Sequence, residues 1–242
     1  MIRVEQSESH SVVTMDRPER RNALNMAQCA GIRDALLAAP DRGDRAVVIT
    51  GTGGAFSAGA DFNEVAGDGF RDALYGMLDA VLTAPIPVIA AINGHAIGAG
   101  MQLAIAADLR VVSDNATFAI PTARLGLAVD PWTIERLTSL VGGGPARRIL
   151  FTCERVTAHD PAVQPMADRR GDLDAAVALA ADLATMAPLT LGYIKETVNE
   201  LSRGRHDSEA AASAFERVWT SDDFREGLAS RAEKRTPEFK GR

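Results

Sequence analysis

Three short apolar runs constrain the fold more than any other feature of this chain. The runs at 45–50, 88–92 and 109–113 are rich in Val and Ile and are bounded by Gly, Pro or Asp. Such runs are typical of buried strands. Helical patterns lie between and after them, one of them beginning at Asn25, a good N-cap, before an Ala-rich stretch. Strands that alternate with helices predict an α/β fold.

The character of the sequence changes at Asp172. Behind this candidate N-cap, apolar residues recur at helical spacing as far as Ala187, and further helical patterns follow around Phe215 and Leu228. We therefore predict an α/β core over residues 1–171 and an all-helical region over residues 172–242. At about 150 residues per domain, the 242 residues allow one large domain or a domain with a small appendage.

Composition and charge narrow the function classes. Lys and Arg total 26 against 32 Asp and Glu, which gives a net charge of -6 and argues against a broad nucleic-acid face and against binding anionic lipid. The sequence has no secretory pattern at its start and no run of 18 apolar residues. Because His and Cys lack a zinc or disulfide spacing, we predict no metal site. We expect a cytoplasmic protein without membrane insertion, whose small anionic ligands would bind at local cations.

The first glycine-rich stretch, residues 51–61, follows a predicted strand and allows three interpretations. A dinucleotide fingerprint fails because Phe56 stands where its last glycine is needed. A nucleophile elbow would place Ser57 in a hydrolase triad with Asp108 and His159. A glycine loop precedes this serine where an elbow needs a sharp turn, which favours a plain loop serine. In the third interpretation, small residues let a ligand reach free backbone N–H groups that bind an oxygen.

The second glycine-rich stretch, residues 85–112, contains the start of a short apolar helix. Small residues at 98–100 precede the helix, which is predicted from about Met101 to Ala107. A helix N-terminus carries free N–H groups and about half a positive charge, which suits it to stabilising an oxyanion. Tight packing of a helix against a sheet requires the same small residues. Two such loops in one domain favour the functional interpretation.

Four segments together resemble the enoyl-CoA hydratase/isomerase, or crotonase, family. They are RPERRNALN at 17–25, AFSAGADF at 55–62, INGHAIGAGMQLAIAADLRVV at 92–112 and EKRTPEFK at 233–240. They occur in the family's order and at its separations. The pattern TxxxGLAxDxW at 122–132 is similar to mycobacterial-type members, which include an acyl-CoA-binding homologue without the hydratase glutamates.

The resemblance implies a spiral of ββα units with a helical C-terminal region that forms a homotrimer or a dimer of trimers. It implies an acyl-CoA thioester as ligand or substrate and no other cofactor. It also implies an oxyanion hole in which the backbone N–H groups of Ala58 and Ala99 hold the thioester carbonyl. The CoA contacts that carry over are Ala23, Leu24, Gly59, Ala60, Asp61 and Lys234, the last from a neighbouring subunit. Arg20 and Arg21 would add charge beside the nucleotide phosphate, although a solvated basic turn explains them equally well.

The chain departs from the family at both positions where hydratases have a glutamate. Gln102 and Thr122 stand there, and neither an amide nor a hydroxyl is a useful base near neutral pH. Asp130 matches an aspartate with which similar dienoyl-CoA isomerases move a proton, so it is a candidate base, although a turn ahead of Pro131 explains it slightly better. Trp132 either lines the acyl tunnel or water site or is a core residue.

The sequence therefore favours a protein of fatty-acid metabolism that binds acyl-CoA thioesters and hydrates them weakly or not at all. One alternative is an active enoyl-CoA hydratase or double-bond isomerase that uses Asp130. The alternative from another class is a serine hydrolase at Ser57.

Overall fold

The chain alternates pairs of strands with helices in a computed structural model that describes residues 1–64, 69–202, 204 and 209–242. The strands are β1 (Ile2–Gln6), β2 (His10–Met15), β3 (Ala46–Gly51), β4 (Ala55–Ser57), β5 (Val88–Ile92), β6 (His95–Ile97), β7 (Leu109–Val112), β8 (Thr117–Ala119), β9 (Val156–Thr157) and β10 (Arg169–Arg170). The helices are α1 (Met26–Leu37), α2 (Phe70–Thr83), α3 (Ala99–Ala106), α4 (Pro131–Val141), α5 (Gly143–Thr152), α6 (Leu173–Ala184), α7 (Pro188–Ser202), α8 (Glu209–Thr220) and α9 (Asp222–Glu233).

The strand pairs are shared between two sheets. The larger sheet has the order β1-β2-β3-β5-β7-β10, with β1 antiparallel to β2 and the other neighbours parallel. The smaller sheet has the order β4-β6-β8-β9, and only its last pair is antiparallel. Each of the pairs β3/β4, β5/β6 and β7/β8 gives one strand to each sheet before a helix follows. This arrangement is the expected spiral of ββα units and confirms the predicted α/β fold.

The three apolar runs form the centre of the larger sheet. They correspond to β3, β5 and β7, which are parallel neighbours, and every residue of β3 and β5 is buried. One face of this sheet contributes to the main core with α1, α2 and α3. Because both faces are covered, β3 and β5 are almost entirely apolar, whereas β7 includes the buried Arg110, which is paired with Asp168.

The second face of the larger sheet packs against α6. Ala176, Leu179 and Ala180 of this helix form a second core cluster with sheet residues Ala46, Val48, Ile89, Ala91 and Val111. Asp172 caps the helix by accepting a hydrogen bond from the N–H of Ala175 at 3.2 Å, as its sequence pattern predicts. The described residues beyond Asp172 are helical apart from turns and the C-terminal tail, and α6 is part of the packing of the sheet.

The helices beyond α6 expose apolar side chains. Tyr193, Phe215, Trp219 and Phe224 form a row of ring contacts with centroid separations of 5.1 to 6.0 Å, and Trp219 is 54% exposed. Among the described residues no single helix is long and apolar enough to span a bilayer, although α6 and α7 together meet those criteria with a bend of 111° between them.

A buried lysine attaches α7 to the α/β core. The Lys195 ammonium lies 2.8 Å from Asp108 Oδ2 and donates to the carbonyl oxygens of Val81 at 2.8 Å and Ile86 at 3.2 Å. Burial lowers the pKa of Lys195, and the Asp108 carboxylate acts in the opposite direction. The Asp108 carboxylate also accepts a hydrogen bond from the N–H of Val88, so it connects α7 with the first residue of β5.

The C-terminal tail is fastened to α9 by two carboxylates. Buried Asp223 accepts hydrogen bonds from the N–H groups of Lys240 at 2.6 Å and Gly241 at 2.9 Å. Glu226 accepts from both terminal nitrogens of Arg235, at 2.5 and 2.8 Å, and from the N–H of Glu238 at 2.8 Å. The Arg235 guanidinium, with help from that N–H group, lowers the pKa of Glu226 from 4.5 to about 2.

This pKa makes the stabilisation by Glu226 dependent on pH. Because the pKa is lower in the folded chain, the contribution of Glu226 is fully present above pH 4.5 and is lost as the pH falls towards about 2. We expect Glu226→Gln to melt at a lower temperature than the parent at pH 7, and the gap to narrow between pH 4.5 and pH 2. Thermal unfolding followed by circular dichroism measures the gap, and Glu238→Gln is the control. A gap that stays constant over this range would contradict the prediction.

Candidate functional site

The first turn of α3 lies against the loop that follows β4. A Cβ added to Gly100 would come within 2.5 Å of the carbonyl oxygen of Ser57. A Cβ added to Gly59, whose φ is +99°, would lie 2.8 Å from the carbonyl oxygen of Ile97 and 3.6 Å from the amide nitrogen of Ala99. Neither position has room for a side chain. The two glycine-rich stretches of the sequence therefore meet here, backbone against backbone.

The N–H group of Ala58 is not free to bind a ligand. It donates to the carbonyl oxygen of Arg21 at 3.0 Å, in a contact that holds the turn at residues 17–25 against the loop after β4. The prediction that Ala58 contributes an oxyanion-binding N–H is therefore wrong, because a donor already engaged in a backbone hydrogen bond has no second hydrogen to offer.

Ala60, two residues further on, has an N–H group without an acceptor among the described residues. The N–H of Leu24 donates to the carbonyl of Gly59, and the N–H of Asp61 donates to the carbonyl of Leu24, each at 2.7 Å. Since successive N–H groups of an extended segment point to opposite sides, the N–H of Ala60 points away from Leu24. Within the described part of the chain it has no acceptor, and neither has the N–H of Ala99 at the start of α3.

Gln102 belongs to a largely buried network with Asp130 and with Thr133 of α4. Its Nε2 donates to Asp130 Oδ2 at 3.1 Å and to Thr133 Oγ1 at 2.8 Å. The Thr133 hydroxyl in turn donates to Asp130 Oδ2 at 2.7 Å. Thr133 was not among the residues expected from the sequence. The order Asp130, Pro131, Thr133 does carry a signal, because an Asp N-cap followed by Pro at the first position is typical of a helix start.

Asp130 is the N-cap of α4. Its Oδ1 accepts a hydrogen bond from the N–H of Thr133 at 3.1 Å, and its Oδ2 accepts the two bonds of the network described above. The turn ahead of Pro131 that the sequence indicates is thus a helix cap. Both carboxylate oxygens have structural partners, so the position offers little support for the role of Asp130 as a base.

Thr122 and Trp132 line two different cavities. Thr122 borders an apolar cavity of about 380 Å³, with Leu127, Ile134, Leu150 and Phe151 among its other walls. Trp132 is partly buried against the core and borders a cavity of about 410 Å³ together with Tyr75, Leu78, Asp79, Leu82, Asp130 and Glu135. Burial and the charge of Asp130 raise the pKa of Tyr75. Gln102 bonds to Asp130 and Thr133, and Thr122 borders the apolar cavity.

The expected CoA contacts lie around the turn at residues 17–25. Leu24 is fully buried and its N–H is used in the contact with Gly59. Buried Asp61 forms an ion pair of 2.9 Å with Arg17, and the N–H of Asn63, then Arg17 and Arg20, lower the pKa of Asp61. Ala23 also forms hydrogen bonds within this turn. Its N–H donates to the carbonyl oxygen of Arg20, and its carbonyl oxygen accepts a hydrogen bond from the Arg17 guanidinium.

The cations proposed for the nucleotide phosphate are accessible. Arg20 and Arg21 are exposed on the turn, and Lys234 is exposed at the end of α9. Their contact with CoA stays a prediction. Among the described residues no group of three or more His, Cys, Asp or Glu side chains could hold a metal ion.

The residues of the hydrolase hypothesis do not meet. The buried Ser57 hydroxyl donates to the carbonyl oxygen of Asn22 at 2.8 Å. Asp108 is paired with Lys195, and the exposed His159 ring lies 3.5 Å from Asp114. A serine nucleophile needs its base within hydrogen-bond reach. The triad of Ser57, Asp108 and His159 is therefore excluded, and Ser57 has a structural role.

We expect no covalent labelling of Ser57 by a fluorophosphonate. The hydroxyl is buried, and its hydrogen is committed to the carbonyl of Asn22. The measurement is intact-protein mass spectrometry after incubation with the reagent, with a known serine hydrolase as positive control and Ser57→Ala as the matched variant. An adduct on the parent chain that is absent from the variant would restore the hydrolase hypothesis.

Comparison with known proteins agrees with this architecture. Residues 5–242 match the family model described as enoyl-CoA hydratase/isomerase. The chain is 43% identical to echA6 of Mycobacterium tuberculosis, an enoyl-CoA hydratase by name, with all of both chains covered. It is 33% identical to the 2,3-dehydroadipyl-CoA hydratase of Escherichia coli, with 96% of this chain and 95% of the relative covered. A crystal structure of an enoyl-CoA hydratase/isomerase family protein from Hyphomonas neptunium superposes with a TM-score of 0.91 at 31% identity, over 100% of this chain and 98% of that one.

Proposed function

Because the chain belongs to the enoyl-CoA hydratase/isomerase family, we propose that it binds acyl-CoA thioesters of fatty-acid metabolism and hydrates enoyl thioesters weakly or not at all. The observation that carries the proposal is the meeting of two glycine-rich backbones around free N–H groups, beside a buried amide where hydratases have a glutamate. The proposed carbonyl site lies in this chain, and neither hydratase glutamate is present at positions 102 and 122.

In the proposed complex the thioester oxygen accepts hydrogen bonds from the N–H groups of Ala60 and Ala99. Two observations support this pair: both N–H groups lack an acceptor within the described residues, and a Cβ added to Gly59 would lie 3.6 Å from the Ala99 nitrogen. The N-terminus of α3 adds a partial positive charge. Oriented backbone donors of this kind are worth roughly 3 to 4 kcal/mol each for a developing oxyanion.

The lack of hydratase chemistry follows from the two substituted positions. Hydration needs a base for the water and an acid for the α-carbon. The Gln102 amide supplies neither, and its Nε2 is engaged with Asp130 and Thr133. Thr122 borders an apolar cavity. Two missing groups, each worth roughly 100- to 10,000-fold, leave only the rate that binding and the oxyanion site provide.

The remaining parts of the proposal concern the nucleotide and the assembly. We assign the CoA phosphates to the exposed cations Arg20 and Arg21, with Lys234 of a neighbouring copy completing the site.

The exposed aromatic row on α7, α8 and α9 supports association of these helices into a homotrimer or a dimer of trimers, since contiguous exposed apolar surface of this kind marks an interaction site.

Binding depends on the close approach of the two loops, so a single methyl group should weaken it. In Gly100→Ala the new Cβ would meet the Ser57 carbonyl and push the start of α3 away from Ala60. We expect at least a 10-fold loss of affinity for a saturated acyl-CoA, measured by isothermal titration calorimetry. Gly144→Ala is the control, because a Cβ there meets nothing within 4 Å. No binding by the parent chain would refute the proposed function, and unchanged affinity in Gly100→Ala would refute the site.

Residual catalysis is tested with an enoyl-CoA. We expect the absorbance of the conjugated thioester to stay nearly constant with the purified protein, because neither Gln102 nor Thr122 can act as a base near neutral pH. An active hydratase run in parallel provides the positive control. A rapid loss of absorbance that Asp130→Ala abolishes would instead establish the alternative, in which Asp130 moves the proton for hydration or a double-bond shift.

A further inference from the structure

Lys234 stands on strained backbone at the point where α9 ends. Its φ of 55° and ψ of 41° lie in the left-handed region, which glycine usually occupies after a helix and which a Cβ disfavours. Among the described residues other than glycine, only Arg21, Asn22 and Cys153 share a positive φ. Such strain persists where the surrounding structure holds it, and it is concentrated at functional sites. The left-handed lysine therefore calls for an explanation beyond the packing of α9.

An ion-pair network holds this turn on both sides of Lys234. The next residue, Arg235, donates two hydrogen bonds to Glu226, at 2.5 and 2.8 Å, and one to Glu233 at 2.6 Å. The N–H group of Arg235 donates to the carbonyl oxygen of Ser230 at 3.0 Å. The residues before and after the lysine are thus joined to each other and to α9, so the backbone at position 234 has little freedom.

The side chain of Lys234 takes no part in that network. It is exposed and forms no salt bridge within the described part of the chain, where the ion pairs beside it belong to Arg235. Arg21, a second cation assigned to the CoA phosphates, stands on similar backbone with a φ of 50°. There the side chain of Asn22 holds the turn through three hydrogen bonds. Two of the three assigned cations are therefore strained, fixed by their neighbours and left without an anionic partner.

We propose that the ion pair of Arg235 with Glu226 positions Lys234 for the phosphates of the bound CoA ester. This inference rests on the proposed function, in which Lys234 reaches the nucleotide of a neighbouring copy. A lysine side chain loses rotamer freedom when it binds, and a backbone that is fixed in advance reduces the further cost of ordering. Glu226 and Arg235 are positioning residues, which act through the direction of the Cα–Cβ bond at position 234.

The test compares an acyl-CoA with the S-acyl pantetheine of the same acyl chain, which has the thioester and lacks the phosphates, by isothermal titration calorimetry. We expect Lys234→Gln and Glu226→Gln each to weaken acyl-CoA binding roughly 3- to 10-fold, as the loss of one exposed ionic contact does. The affinity for the pantetheine ester should stay unchanged. The double variant should lose no more than Lys234→Gln alone, because both changes remove the same contact.

Glu238→Gln is the matched control, because it removes one negative charge from the same tail and its side chain has no part in the network. It should bind both ligands as the parent does. A direct contact of Arg235 with the phosphates predicts the opposite result for Glu226→Gln, since a guanidinium released from Glu226 keeps its charge. Unchanged or tighter acyl-CoA binding by Glu226→Gln would therefore overturn the inference.

Two further results would also overturn it. Equal losses for the two ligands would indicate a general disturbance of the fold, and additive losses in the double variant would show that Glu226 acts independently of Lys234. If Glu226→Gln does not fold, Arg235→Lys decides the matter, because it keeps the charge, loses the bidentate contact and should show the same selective loss. Failure of the parent chain to bind the acyl-CoA would overturn the proposed function instead.

Discussion

The contact between the start of α3 and the loop after β4 is the constraint on which the rest of the site depends. Gly100 passes the Ser57 carbonyl so closely that a single Cβ would overlap it. All eight residues of α3 are buried, so the helix cannot move outwards to relieve such an overlap. The same contact sets the separation between Ala60 and Ala99, and with it the space between two unpaired N–H groups. One pair of backbones in contact thereby determines both the packing and the chemistry.

The position of α3 is then fixed by α4 at both of its ends. Near the start, Gln102 donates to the Asp130 cap. At the other end, Arg136 donates to the carbonyl oxygens of Ile105 at 2.9 Å and Ala107 at 3.4 Å. These carbonyls lie at the end of α3, where helical acceptors have no intrahelical donor, and a cation there complements the helix dipole. Burial lowers the pKa of Arg136, opposed by nearby carboxylates. A short helix of low polarity is thus held rigidly by polar contacts at its ends.

Features encoded by neighbouring residues could be predicted from the sequence, and features that depend on distant backbone contacts could not. The strand Val88–Ile92 was predicted with its observed bounds, because apolar composition and flanking breakers are local. Whether the free N–H belongs to Ala58 or Ala60 depends on the bridge from Ala60 to Leu24, 36 positions away. No local pattern reports such a pairing. The N-cap role of Asp130 could have been predicted, because a cap and the proline that follows it are adjacent in sequence.

The amide at position 102 and the carboxylate at position 130 are chemically matched. A glutamate at 102 would place an oxygen about where Nε2 now lies, 3.1 Å from Asp130 Oδ2. Two carboxylates at that distance do not both ionise readily, so one of them would retain a proton and the donor to Thr133 would be lost. Replacing Gln102 with the hydratase residue would therefore not by itself recreate a hydratase site. The Asp130 carboxylate that orients the amide therefore opposes the negative charge that a hydratase needs at position 102.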